Sequence, residues 1–303
     1  MKAVVTGGAG FIGSHLVDAL IGLSFDEVHV IDDLSSGSMH IHPAAAFHRL
    51  DIRSEACREA IIGTKPDVVF HLAAQMDVSR SIADPKHDAE VNIAGTINLL
   101  EACRLASVPK FIFASTSAVY GNLQKSRMTE ADPVHPISYY GLSKLSAESY
   151  IRIYSELYGL SYTILRYANV YGPRQTPKGE GGVIAVFANK IKAGDALPVH
   201  GDGEQTRDFI YVSDIVRANI AAIDEGHRET IQVGTARGTS INELIKALSE
   251  IRGEKLTAKH GPERIGDIKI SCLDNRKAKK LLRWKPQTDL KEGLLATLRA
   301  SLD

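Results

Sequence analysis

The sequence predicts a doubly wound parallel α/β sheet followed by a smaller C-terminal α/β lobe. Three features predict it: short apolar runs that alternate with helical patterns through the first half, a glycine-rich turn directly after the first run, and a loop-rich stretch that ends the alternation near Asn169. A length of 303 residues exceeds the usual range for one compact core, which agrees with two lobes.

Residues 2–6, 27–31, 67–71, 110–114 and 161–166 read as strands. Several are apolar throughout, as strands covered on both faces must be. Helical spacing marks 12–20, 54–62, 91–106 and 140–158 between them. Strand, helix, strand in repetition makes a doubly wound sheet. After Asn169 come Pro173, Pro177, Gly179, Gly181 and Gly182, then a helix expected near 183–192 and a turn at 200–203. Ser240 and Glu243 in TSINELIKAL form a capping box, hydroxyl and carboxylate satisfying free amides at a helix start. The KAKK run at 277–280 reads as one solvated helix face. The expected division is a first domain over 1–168, to which 208–234 returns, and a second lobe built from 169–207 and 235–303.

Composition narrows the function. Thirty-six basic side chains balance 36 acidic ones, so no global charge attracts nucleic acid or anionic lipid. No apolar run approaches the roughly 18 residues of a membrane helix. The opening MKAVVTGGAG has neither the apolar core nor the cleavage site of a signal peptide. Cys57, Cys103 and Cys272 are odd in number and lack CxxC spacing, which argues against disulfides or zinc and for buried thiols in a reducing cytoplasm. His40, His42 and His200 have no metal-ligand spacing and read as loop histidines. No metal is expected.

The first chemical signal is KAVVTGGAGFIGS, a strand, then Gly7, Gly10 and Gly13, then a helix. Such glycines let the backbone approach a pyrophosphate, whose charge the helix N-terminus stabilises; this is the Rossmann-like dinucleotide turn. Nineteen residues beyond Gly13 stands Asp32, at the end of the second strand. A carboxylate there accepts both adenosine ribose hydroxyls and repels a 2′-phosphate, which favours NAD over NADP. Asp33 is the alternative ribose ligand, or a cap for the loop that follows.

The second signal is Tyr140 and Lys144 in SYYGLSK. Four residues apart, they project from one helix face. A tyrosine is a poor base at its ordinary pKa of about 10; a nearby ammonium and a nicotinamide cation favour its phenolate. Tyr139 and Tyr150 have no lysine four residues on. Ser115, Thr116 and Ser117 close the fourth apolar strand, at the end where parallel sheets bind ligands.

Together, TGGAGFIGS, HLAAQ at 71–75, FASTSAVYG at 113–121, SYYGLSK, RYANVYGPR at 166–174 and RDFIYVSD at 207–214 resemble the extended short-chain dehydrogenase/reductases. The likeness is greatest to their NAD-dependent nucleotide-sugar epimerases of the UDP-glucose 4-epimerase type. It runs from Lys2 to the RWKP at 283–286. By that resemblance Tyr140 is the base, Lys144 holds the nicotinamide ribose, and Thr116 hydrogen-bonds the reacting sugar oxygen, with Ser115 and Ser117 as flanking alternatives. It implies cofactor contacts from Phe11, Ile12, Asp51, Ile52, Leu72, Ala73, Ala74 and Tyr167, with Asn92 anchoring their surroundings. It implies a nucleotide-sugar site of Asn169, Val183, Arg207, Arg264, Asp267 and Ser271 in the second lobe. Guanidinium suits the diphosphate, though Arg264 alone reads equally as a surface pair with Glu263 or Asp267. Met76 replaces a cofactor-contacting lysine of one subgroup.

The implied reaction is 4-epimerisation through a transient 4-keto sugar. Dehydratases and decarboxylases of the fold place acidic groups after the threonine, where this chain has Ser117 and Ala118. Ser271, four residues after Asp267, matches the position bordering the sugar 2-substituent. A serine there leaves room for an N-acetyl group. A reductase would more often use NADPH, and a non-catalytic dinucleotide binder would lack the Tyr/Lys pair. The helices at 91–106 and 140–158 resemble those that pair in family homodimers, with Ile151, Tyr154 and Tyr158 as an apolar stripe. The same stripe could pack on the protein's own sheet.

Overall fold

The computed structural model describes residues 1–23, 25–36, 40–123, 125–177, 182–263 and 268–302. The central sheet contains β1 (Lys2–Thr6), β2 (Glu27–Asp32), β3 (Ala46–Arg49), β4 (Val68–His71), β5 (Lys110–Thr116) and β6 (Ser161–Tyr167). Glu229–Val233 adds the seventh strand, and the order across the sheet is that strand, β6, β5, β4, β1, β2, β3. Every pairing in it is parallel. Val4, Val69 and Phe111 face one side and Ala3, Val5, Phe70 and Ile112 the other, and each side is a separate apolar core. The continuous apolar runs of the sequence come from this double burial.

Two strands escape the apolar-run signal. Ala46–Arg49 is a half-exposed edge strand, and Glu229–Val233 mixes polar and apolar side chains. The helix expected over 91–106 is interrupted: Glu90–Ala94 is a π-helical turn, and the α-helix proper is Gly95–Leu105. Helices Phe11–Gly22, Glu55–Thr64 and Tyr139–Tyr158 cover the sheet.

A third core gathers Tyr171, Phe187, Leu197, Phe209, Leu244 and Leu294. Helices Val183–Ala193, Ile241–Arg252 and Leu290–Leu302 surround it. The capping box forms as expected, Glu243 N donating to Ser240 Oγ (3.1 Å) and Ser240 N to Glu243 Oε2 (2.7 Å). The chain passes between cores more than once. Ile210, Ile215 and Ala218 join a sheet-face core, and so do Leu273, Ala278, Leu282 and Trp284, before Leu294 and Leu298 return to the third. The KAKK helix, Arg276–Leu281, buries Ala278 and leaves Lys279 and Lys280 exposed. Among the described residues no helix is long and apolar enough to cross a membrane.

Candidate active site

Strand register brings the predicted residues together. Thr6, Ile31, His71, Phe113 and Ile164 share one row across the sheet. The residues that follow them therefore emerge along one carboxyl edge. The chain goes from β1 to β2 and β3 on one side, then crosses to β4 on the other, so the crevice opens beside β1, where such sheets bind ligands. A cleft of about 1140 Å³ runs from this edge to the third core.

Gly7, Gly10, Phe11, Ile12 and Gly13 line one end of the cleft. The turn is too tight for side chains at its centre: a Cβ on Gly13 would stand 2.0 Å from the Gly7 carbonyl oxygen. No side chain caps the helix that starts at Phe11, and its first turn has no acidic residue. Its leading amides suit a bound diphosphate. Asp32 lines the same end, its Oδ2 accepting from Ala9 N (3.0 Å) and its Oδ1 from Leu34 N (2.9 Å). Burial pushes its carboxyl up, and the two backbone amides oppose that. Asp33 Oδ1 is taken by Ser35 N and Oγ, so it caps the loop even though it also lines the cleft. Asp51, Ile52, Leu72, Ala73 and Ala74 complete this end, with Met76 beside them. These groups fit NAD: bare amides for the diphosphate and a carboxylate for the ribose.

Tyr140 and Lys144 lie on the cleft floor at the start of Tyr139–Tyr158. Ser138 Oγ caps this helix by accepting from Gly141 N (3.1 Å), and a Cβ on Gly141 would meet the Ala118 carbonyl at 2.8 Å. The helix thus lies hard against the turn after β5. That contact brings the Thr116 hydroxyl to Tyr140, with which it forms a hydrogen bond. Thr116 Oγ1 also accepts from Ala118 N (3.1 Å) and retains its one proton to donate. The Lys144 ammonium lies 4.4 Å from the Phe113 ring centroid.

Burial governs both titrations. It pushes Tyr140 up to about 12, opposed by the Thr116 hydrogen bond and reinforced by Asp88. It pushes Lys144 down to about 7, opposed by Asp88 and Glu148. A lysine four residues on is expected to hold the phenol down; in the protein, burial sets the direction and the Thr116 hydrogen bond is what opposes it. Tyr140 nonetheless keeps part of its ring open to the cleft.

Of the polar groups behind this pair, sequence reasoning named Asn92 and missed Asp88 and Glu148. Asn92, on the π-helical turn, accepts from Gln75 N (2.9 Å) and donates to Gln75 O (2.8 Å), Asp88 Oδ1 (3.2 Å) and Ser143 Oγ (3.0 Å). It is buried beneath the site and ties three segments together. Glu148, one turn beyond Lys144, binds Arg166 and Ser115. Charged residues in helical patterns read as solvated faces, so only register could have exposed them.

Tyr167, Asn169, Val183 and Arg207 line the cleft toward the third core. Tyr167 Oη is held by Asn219 Nδ2 (2.7 Å). Arg207 lies in the strand Thr206–Arg207, with Thr239 and Ser271 beside it in register. Ser271 is buried in that small sheet and does not line the cleft. Asp208 secures the junction, accepting from Thr235 N (2.8 Å), Ala236 N (3.2 Å) and Leu273 N (3.2 Å). Arg264 and Asp267 lie outside the described residues.

The apolar stripe divides differently from expectation. Ile151 is fully buried in the protein's own core, and Tyr154 packs there and donates to Glu101 Oε1 (2.6 Å). Of the stripe, Tyr158 alone is exposed, alongside Tyr139, Leu142, Tyr150, Ile153 and Leu157 on the same helix. All three cysteines are buried and free, and no metal-ligand cluster occurs among the described residues.

Residues 3–234 match the sequence profile of the NAD dependent epimerase/dehydratase family. A putative UDP-glucose 4-epimerase of Methanocaldococcus jannaschii is 44% identical over 293 residues, 96% of this chain and 95% of that protein. The crystal structure of Thermotoga maritima UDP-glucose 4-epimerase with UDP-glucose superposes with a TM-score of 0.96 at 46% identity, covering 99% of this chain and 98% of that one. A UDP-N-acetylglucosamine 4-epimerase from Methanobrevibacter ruminantium M1, in complex with UDP-N-acetylmuramic acid, gives 0.92 at 39% identity over 99% and 97%.

Proposed function

This chain belongs to the NAD dependent epimerase/dehydratase family, and from that premise we propose that it inverts C4 of UDP-hexoses, UDP-glucose and UDP-galactose first among them. The observation that carries the reading is the Thr116–Tyr140 hydrogen bond, with Tyr140 and Lys144 on the floor of a cleft that joins the glycine turn to Arg207. Bound NAD supplies the hydride acceptor and donor at the sugar carbon. Gly7, Gly10 and Gly13 admit its diphosphate, Asp32 its ribose, and Lys144 the ribose nearer the chemistry. Tyr140 Oη takes the proton of the 4-hydroxyl and later returns it, while Thr116 donates to the same oxygen. Asn169 and Arg207 hold the nucleotide diphosphate, so the 4-keto sugar stays captive while it turns over. Arg264 and Asp267 share that work. Ser117 and Ala118 offer no acid or base for eliminating water, which separates this site from a dehydratase.

Incubation with UDP-, dTDP- and GDP-hexoses tests the reading, with the products identified by NMR. Interconversion of the C4 epimers is expected. A 4-keto-6-deoxy product, or no product from any of them, would refute it.

The chain works in the cytoplasm as a homodimer in this reading. Ile153 (52% exposed) and Leu157 (66%) are the centre of the self-association face, and Leu157→Asp should give monomers in sedimentation.

A further inference from the structure

We propose that Asp88 is a positioning residue that keeps Lys144 in its charged form. Asp88 lies in the short helix Pro85–Ala89 and is 1% exposed. Its Oδ1 accepts from Gln75 Nε2 (2.8 Å) and Asn92 Nδ2 (3.2 Å). Its Oδ2 is sealed from solvent and has no hydrogen-bond partner among the described residues. Leaving a buried carboxylate oxygen unpaired is costly, so its place here calls for a reason.

The charge acts on the catalytic lysine. Asp88 and Glu148 both favour the ammonium of Lys144, while burial opposes it. Glu148 belongs to the same helix but is committed to Arg166 and Arg152. His71, from β4, is held between Thr6 and Thr96, and burial and Lys144 both keep it neutral. Asp88 is therefore the carboxylate near Lys144 that no ion pair neutralises among the described residues. It makes no direct ion pair with the lysine either, so it acts across space. Asn92 fixes the separation, since the amide that holds Asp88 also holds Ser143, the residue before Lys144. The same charge opposes ionisation of Tyr140, so its benefit comes through the lysine.

This inference rests on the role given to Lys144 above, and its test reads the lysine directly. Asp88→Asn keeps an acceptor for Gln75 and Asn92 but removes the charge. Competitive acetylation with trace acetic anhydride from pH 5.5 to 9.5, followed by mass spectrometry, gives the Lys144 pKa in each protein. The Asn variant should titrate roughly one unit or more lower. The alkaline limb of its pH–turnover profile should move down by the same interval, with activity recovering at lower pH. A Lys144 that titrates as in the wild type, or higher, overturns the proposal, and a uniform loss of turnover at every pH marks Asp88 as merely structural. If the Asn variant does not fold, Asp88→Ser is read by the same labelling. The labelling decides for Asp88 even if no nucleotide sugar turns over, a result that would instead remove the epimerase reading.

Discussion

Arg166 donates two hydrogen bonds to Glu148, Nε to Oε1 at 2.8 Å and Nη2 to Oε2 at 2.6 Å, and the carboxylate side chain has no solvent exposure. The guanidinium holds the carboxyl below its usual range even though burial pushes the other way. This pair joins the helix of Tyr140 to β6, and Ser115 Oγ, donating to Glu148 Oε1 at 2.6 Å, adds β5. Glu148→Ala leaves a buried guanidinium without its counter-ion and should cost about 3–5 kcal/mol. Urea denaturation measures it, and a loss under about 1 kcal/mol would show the pair to be dispensable.

Tyr140→Phe keeps the ring and removes the proton carrier. Turnover should fall by roughly 10²–10⁴ or more. NAD affinity by calorimetry and thermal stability should stay close to the wild type. Substantial residual epimerisation would move the proton transfer to another group.

Asp32 should make the protein select NAD over NADP. A 2′-phosphate beside a carboxylate already held by Ala9 N and Leu34 N sets like charges together, at a cost on the order of a few kcal/mol. Calorimetric titration should give NAD at least roughly tenfold tighter binding. Equal affinities contradict the assignment.

Ser271 leads to a prediction about the sugar. It stands beside Arg207 in register and is buried without lining the cleft, so a larger side chain there must displace its surroundings, the cleft-lining Arg207 among them. We expect the wild type to accept UDP-GlcNAc and UDP-GalNAc as well as the plain hexoses. Ser271→Tyr should penalise the N-acetylated pair by about 1–3 kcal/mol. Equal loss on both pairs means the tyrosine disturbs Arg207 rather than closing a pocket.

Stability should depend on pH through Lys144. Its folded pKa of about 7 lies below its ordinary 10.5, so the unfolded chain binds the extra proton between those values. Stability of the protein without ligand should therefore gain up to about 1.4 kcal/mol per pH unit from this group as pH rises through that window. Below pH 7 the full cost of burying the charge remains. Lys144→Met should flatten the slope in denaturant titrations between pH 7 and 10, and an unchanged slope would assign it to other groups.

The parts legible in the sequence are those set by local chemistry. The apolar runs of β1, β4 and β5, the glycine turn and the Tyr140–Lys144 spacing all follow from side chains a few residues apart. Ala46–Arg49 was not legible because an edge strand needs no apolar run, and AFHR carries none. The π-helical turn at Glu90–Ala94 leaves the apolar spacing almost undisturbed, yet it places Asn92 beneath the site. Ile151 and Tyr154 look like a surface stripe in sequence, since a 3.6-residue period does not say which partner covers it. Asp88, Glu148 and Arg166 have no local signature; their meaning comes from partners distant in sequence, Gln75 for Asp88 and, for Glu148, Ser115 and Arg166.

The repeated passage of the chain between cores has a consequence for how this protein can be rebuilt. A fragment ending at the junction after Tyr167 would lose Glu229–Val233 from the sheet edge, and with it Ile215 and Trp284 from the core beneath. It would expose β6 as an unpaired, aggregation-prone edge. The remaining chain would keep the third core but lose the sheet against which Ile215, Leu273 and Trp284 pack. Neither part is a portable module, so chimeras between relatives will need exchanged loops rather than exchanged halves, and circular permutation will succeed only at exposed turns away from these crossings.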